Sequence, residues 1–210
     1  MVFSIYFFER YNKDIDSTKR GKTLKIIVAI TGATGSIFGI RILEILKNIK
    51  EVETHLILSK WGIKTIESET NYTIEEVELL ADYTYDTANL GARISSGSFQ
   101  VDAMIIAPCS MKTLASIRMG FADNLVSRAA DVILKERKKL ILLTRETPLN
   151  TIHLENMLAL SRMGTIMLPP MPAFYNHPKT IDDLVNHIAY RTVDQLGIIL
   201  PDLKRWNGLE

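Results

Sequence analysis

The chain carries one cysteine, Cys109, in 210 residues, which excludes an internal disulfide framework and fits a reducing, cytoplasmic setting. It also lacks any charge-free apolar run near the ~20 residues that a membrane span requires. Charge of one sign is missing too. The formal net charge is +1, so neither nucleic acid nor an acidic membrane surface is an expected partner. No spacing of His, Cys and carboxylates builds a metal site, and none is expected. What the chain does have is apolar content, at 47% of residues. That fills one well-buried domain at this length and leaves apolar surface that contacts between subunits would cover.

Residues 2–8 are apolar, but the stretch is too short for a signal peptide, lacks a preceding basic region and is followed by no small-residue cleavage site. Residues 9–22 are polar and charged. Residues 1–24 are therefore read as an N-terminal extension, and 25–210 as a single domain that includes the C-terminal tail.

The domain is organised around residues 25–39, KIIVAITGATGSIFG. Residues 26–30 are apolar at every position, which a strand sustains when both its faces are covered, as in a parallel sheet between helices. After the glycines, Ile37, Ile40, Leu43 and Leu46 recur at helical spacing. A tight strand-to-helix turn aims backbone N–H groups and the positive end of a helix at one point, which suits a phosphate. Its owner stays open on this loop alone. There is no Gly-Lys-Ser/Thr for a Walker A loop, and residue 34 is Thr where the Rossmann G-x-G-x-x-G needs Gly. The short-chain dehydrogenase spacing fails at Phe38, while Thr31-Gly32-Ala33-Thr34 matches part of a flavodoxin phosphate loop.

Residues 54–58 read as a second strand ending in Ser59-Lys60, a hydroxyl and a cation where an NAD enzyme carries an acid for the ribose. A helix follows over 61–68, closed by Glu69, and residues 73–80 form another, with Thr73 as cap and Glu76 at the capping-box position. Residues 83–98 are polar and read as a long connection. Residues 101–107 are a buried strand that Pro108 ends, and Ser110 caps the next helix. This turn and the first face one crevice at the carboxyl ends of the strands. Cys109 in it is read as a small buried residue, since no activating base is evident.

Asp123 starts a helix on which Arg128, Asp131 and Lys135 share one face; spacing alone makes them a solvated row with an Asp131–Lys135 pair. Residues 139–143 are a strand ending in Thr144-Arg145-Glu146, a cation and an acid that either clamp a phosphate and move a proton or form an exposed pair of little weight. A helix over 151–162 and a strand over 165–168 lead to a loop stiffened by Pro169, Pro170 and Pro172, which holds Tyr175. Tyr175 and Lys179 match a Tyr-x-x-x-Lys pair, but Pro178 between them breaks the helix that pair needs. Thr180 caps the last helix, with Ile181, Leu184, Val185, Ile188 and Leu196 inward and Arg191 near its end. Trp206 in the tail packs on its own domain or a neighbour.

The TGATGSIFG opening, APCSMKTLASIRMGFADNLVSRAADVILKERK, LLTRETPLNTIHLENMLALSRMGTIMLPPMPAFY and the Arg191 that follows closely resemble the UbiX-type flavin prenyltransferases. The resemblance spans about residues 25–206. It implies an α/β, three-layer Rossmann-like or flavodoxin-like domain with a central parallel sheet. It further implies an enzyme that joins a dimethylallyl group to N5 and C6 of reduced FMN, making prenylated FMN for a UbiD-type decarboxylase. By the same resemblance Gly32, Ala33, Thr34, Ser59, Ser110, Met111, Lys112, Thr113 and Arg145 hold FMN. Tyr175, Arg191, Lys135 and Arg128 bind dimethylallyl phosphate. Glu146, Glu69, Lys135, Tyr175 and Trp206 serve the chemistry. Neighbouring subunits of a homo-oligomer, a dodecamer, complete the site. One position departs from the family pattern: Thr34 stands where Ser is usual. Two alternatives remain at this stage, an FMN-dependent cysteine-peptide decarboxylase and an NADP-binding dehydrogenase or nucleotide sensor.

Overall fold

The computed structural model describes residues 23–200, 205, 206 and 208; the extension expected at the N-terminus lies, but for its last two residues, outside them. A six-stranded sheet has the order β3-β2-β1-β4-β5-β6, and every neighbouring pair is parallel. The strands are β1 Leu24–Ile30, β2 Val52–Leu58, β3 Tyr83–Asp86, β4 Ala103–Cys109, β5 Lys139–Thr144 and β6 Ile166–Met167. Leu24 pairs with Val52, so the sheet starts within the stretch read as the extension.

The helices are α1 Ser36–Lys47, α2 Lys60–Glu69, α3 Ile74–Glu78, α4 Met111–Arg118, α5 Leu125–Lys135, α6 Thr151–Arg162 and α7 Ile181–Asp194. They form two layers because side chains alternate across a strand. Ile26, Val28 and Ile30 pack with Leu43 and Leu46 of α1, Ile66 of α2 and Ile188 of α7. Ile27 and Ala29 pack with Leu114 of α4, Ala129 of α5 and Leu160 of α6. Burial on both faces accounts for the unbroken apolar runs. The result is the three-layer α/β domain expected. Among the described residues no helix is long and apolar enough to cross a membrane.

Several local expectations change. Residues 83–86, read as part of a connection, form the edge strand β3; among the described residues one side of it has no strand neighbour, and YTYD carries no buried apolar signal. Pro108 does not end β4, which continues to Cys109 across a shift in the pairing with β5 between Ile106 and Cys109. Such an irregularity is where a central strand tolerates a missing N–H. Asn124, rather than Asp123, caps α5, accepting from the Val126 and Ser127 amides. Ile181 is 81% exposed, since it is the first residue of α7, beyond the stripe that faces the sheet. Asp131 pairs with Arg128 at 2.8 Å, and Lys135 with Glu136 at 2.6 Å; the Asp131–Lys135 pair does not form.

Candidate active site

The strand order reverses between β1 and β4, and ligands of open parallel sheets bind at the carboxyl ends beside that reversal. Here the two turns are tied together by Thr31. Its buried hydroxyl donates to the Pro108 carbonyl at 2.8 Å and accepts from the Ser110 N–H at 2.9 Å. Above it lies a cleft of about 330 Å³ lined by Gly32, Ser59, Lys60, Trp61, Lys112 and Thr113, among others.

Three helices start at this cleft. Ser59 caps α2 through Gly62 N–H at 2.9 Å, Ser110 caps α4 through Thr113 N–H at 3.3 Å, and Asn124 caps α5. Helix N-termini carry partial positive charge, and Lys60 and Lys112 add full cations. Gly32 is required where it stands: a Cβ there would sit 2.2 Å from Trp61 Cβ. A hydroxyl- and ammonium-lined cleft floored by a bare backbone and walled by an indole fits a flavin phosphate and ring. No acid waits for a ribose at the end of β2.

Glu69, the last residue of α2, reaches the TGATG loop. Its carboxylate accepts from Gly35 N–H at 2.8 Å and closes the start of α1. Ala33 and Thr34 lie on the same loop, Thr34 exposed; Met111 is half-buried in the first turn of α4.

Arg145 and Glu146 follow β5. The Arg145 N–H bonds the Cys109 carbonyl at 3.1 Å, which fixes the pair beside the β4 turn. Beyond them, past β6, a second cavity of about 580 Å³ is lined by Leu168, Tyr175, His187, Arg191, Arg205 and Trp206, among others. Trp206 meets Tyr175 edge to face, with centroids 5.7 Å apart. Arg191 and Arg205 both bond Asp194. At ~4.8 Å per strand, β1 and β6 are roughly 14 Å apart; Arg145 and Glu146 follow β5, the strand before β6, and are in the lining of neither cavity.

Arg128 and Lys135 are not brought to either cavity by this chain. Arg128 bonds the Ser95 carbonyl and Asp131. Lys135 ends α5, eleven residues along a helix that starts at the cleft, or about 16 Å away at ~1.5 Å per residue. Conversely, Trp61, Thr87, Asn124 and Ser127 line the first cleft, and His187 the second, without having been expected there. Thr87 follows the strand that polar alternation hid. Asn124 and Ser127 were readable as a capping box, N-x-x-S, closing both ways.

Burial drives the Cys109 thiol far above its ordinary value, so it is no nucleophile. Burial, and next the Arg191 charge, hold the His187 imidazole below its ordinary value.

The model of the Flavoprotein family matches residues 14–193. A probable UbiX-like flavin prenyltransferase of Bacillus subtilis (strain 168) is 65% identical over 192 residues, which cover 91% of this chain and 94% of that protein. The chain belongs to the UbiX-like flavin prenyltransferases. Solved structures of that family superpose closely. A dodecameric FMN-dependent UbiX-like decarboxylase from Escherichia coli O157:H7 is 58% identical with a TM-score of 0.87, over 88% of this chain and all of that one. AnUbiX (PadA1), in complex with FMN and dimethylallyl pyrophosphate, is 49% identical with a TM-score of 0.88, over 90% of this chain and all of that one. Membership in the UbiX-like family takes the place of both alternatives, the cysteine-peptide decarboxylase and the dehydrogenase.

Proposed function

We infer that this protein transfers the dimethylallyl group of dimethylallyl phosphate to N5 and C6 of reduced FMN, and that the prenylated FMN serves a UbiD-type decarboxylase. One observation carries the reading. The same chain holds a cleft suited to a flavin phosphate and ring and, about three strand spacings along the sheet, a cavity lined by Arg191 and Arg205 together with Leu168, Ile188 and Trp206. Cations together with apolar side chains suit an isoprenoid phosphate.

Reduced FMN supplies the two positions that are alkylated. Gly32, Ser59, Ser110, Lys112, Thr113 and Arg145 hold it, with Ala33, Thr34 and Met111 on the same two turns. Tyr175 and Arg191 hold the donor phosphate, so the negative charge that develops as the allylic C–O bond breaks meets fixed cations and donors. The electron pair leaves with the phosphate. The faces of Tyr175 and Trp206 favour the positive allylic carbon. The double bond of the transferred group takes up one proton, matching the one that N5 gives up, as its remote carbon bonds C6. Glu146, at the end of β5, takes the proton that C6 releases. Glu69 acts by shaping the loop that carries Gly32.

Lys135 and Arg128 join the phosphate site from a neighbouring chain of a homo-oligomer, which we take to be a dodecamer like the Escherichia coli relative. The single cysteine supports a reducing, cytoplasmic setting for the protein.

The test is anaerobic incubation with reduced FMN and either dimethylallyl phosphate or the pyrophosphate, followed by the mass of the released flavin. A gain of one five-carbon unit, lost in Glu146→Gln or Tyr175→Phe, is expected. Unmodified FMN, where a known relative succeeds, overturns the transfer and leaves the flavin site.

A further inference from the structure

His187 has no part in the reading so far, yet it is the buried polar group of the second cavity. It lies one turn before Arg191 on α7 and is only 9% exposed. Its Nε2 is 3.3 Å from the Tyr175 hydroxyl, and the two rings meet edge to face, 5.5 Å between centroids at 85°. Trp206 meets the Tyr175 ring from the tail at 73°. The phenol is thus seated between an indole, which supplies packing, and an imidazole, which also supplies a hydrogen bond.

The cavity contains two further charged groups near the imidazole, Arg191 on its own helix and Arg205 from the tail, both paired with Asp194. Burial, and next the Arg191 charge, favour the neutral form of His187. A neutral imidazole has a single N–H. If Nε2 carries it, the Tyr175 oxygen accepts, and the phenolic hydrogen is released toward a ligand oxygen. If Nδ1 carries it, Nε2 consumes that hydrogen.

We propose that His187 is a positioning residue for Tyr175: it donates from Nε2 to the phenolic oxygen and thereby aims the Tyr175 O–H at the donor phosphate. The proposal rests on the assignment of this cavity to the donor. His187 supplies what the proline-rich loop alone does not, since the loop backbone orients the ring without setting the hydroxyl hydrogen.

The test is calorimetric titration of dimethylallyl phosphate into the full chain loaded with oxidised FMN, where no turnover occurs. His187→Phe, which keeps the edge contact and removes the donor, should weaken binding roughly 3- to 10-fold, the scale of one neutral hydrogen bond. Tyr175→Phe should do the same, and the double variant should bind no more weakly than either single one. His187→Gln, whose amide can donate in place of Nε2, should recover most of the affinity. If His187→Phe does not fold, His187→Met takes its place. Wild-type affinity in these variants, multiplying losses in the double one, or no binding by the wild type each overturn the proposal. Coupled binding with no mass gain on reduced FMN keeps the role of His187 and refutes the transfer.

Discussion

Glu69 Oε2 accepts a hydrogen bond from the Gly35 N–H at 2.8 Å and lies 3.4 Å from both the Ser36 N–H and its hydroxyl. The last residue of α2 therefore caps the first turn of α1, whose own cap position is a glycine at φ +95° with no side chain to offer. An acid built into the chain occupies the positive end of that helix. The amides of Gly35 and Ser36 are thereby engaged within the chain.

Removing that cap should cost stability first. Glu69→Ala is expected to lower stability by about 1 kcal/mol, the usual effect of losing an N-cap. Glu69→Gln, which keeps a carbonyl acceptor, should recover most of it. Denaturant midpoints of the three proteins decide this; an unchanged midpoint in Glu69→Ala would show that the contact carries no weight.

Gly32→Ala should loosen flavin binding by an order of magnitude or more, because the added methyl must displace Trp61, its neighbour at 2.2 Å. Fluorescence quenching of FMN on titration measures it. In a Trp61→Gly background that Cβ is gone and the remaining neighbours are backbone atoms of residue 61 at 3.3 Å, so the second substitution should cost far less there. Equal losses in both backgrounds would show that Trp61 is not the obstacle.

Lys135 lies at the far end of α5 from the flavin cleft, whereas Arg191 lines the second cavity. Lys135→Met and Arg191→Met should each abolish most prenyl transfer. Mixed oligomers assembled from the two should regain part of it, because some sites then draw an intact Lys135 and an intact Arg191 from different chains. Mixtures as inactive as the parents would place both residues in one chain's site.

Stability should fall in mild acid. His55 is fully buried, with Nδ1 3.0 Å from the Tyr85 hydroxyl and Nε2 3.0 Å from Glu53. Burial lowers its pKa, Glu53 opposes this, and Arg93 and Lys25 add to the lowering. With the folded value below the unfolded ~6.5, the unfolded chain binds the proton more readily. The stabilisation is present above about pH 6.5 and is lost as pH falls through the folded value; His187 contributes in the same sense. The melting temperature should drop between pH 7.5 and 5.5, and drop less in His55→Phe. An equal drop in that variant would assign the effect to other groups.

The amino-acid order alone decided the architecture. Strands apolar at every position demand cover on both faces, and the TGATG turn demands a helix leaving the sheet where it does. The capping boxes at Thr73 and Thr180 close as their spacing requires, because a helix start is made from neighbours in sequence. Motif blocks nominated residues for the chemistry, but not which of them one chain brings together. Tertiary structure alone decided that Thr31 ties the β1 turn to the β4 turn, that Glu69 reaches back over 34 residues to Gly35, and that Lys135 lies a helix length from the cleft on its own chain. It also decided that His187 stands behind Tyr175. These relations depend on distances between segments remote in sequence, which periodicity and spacing do not encode, because each is set by how the two helical layers pack across one twisted sheet.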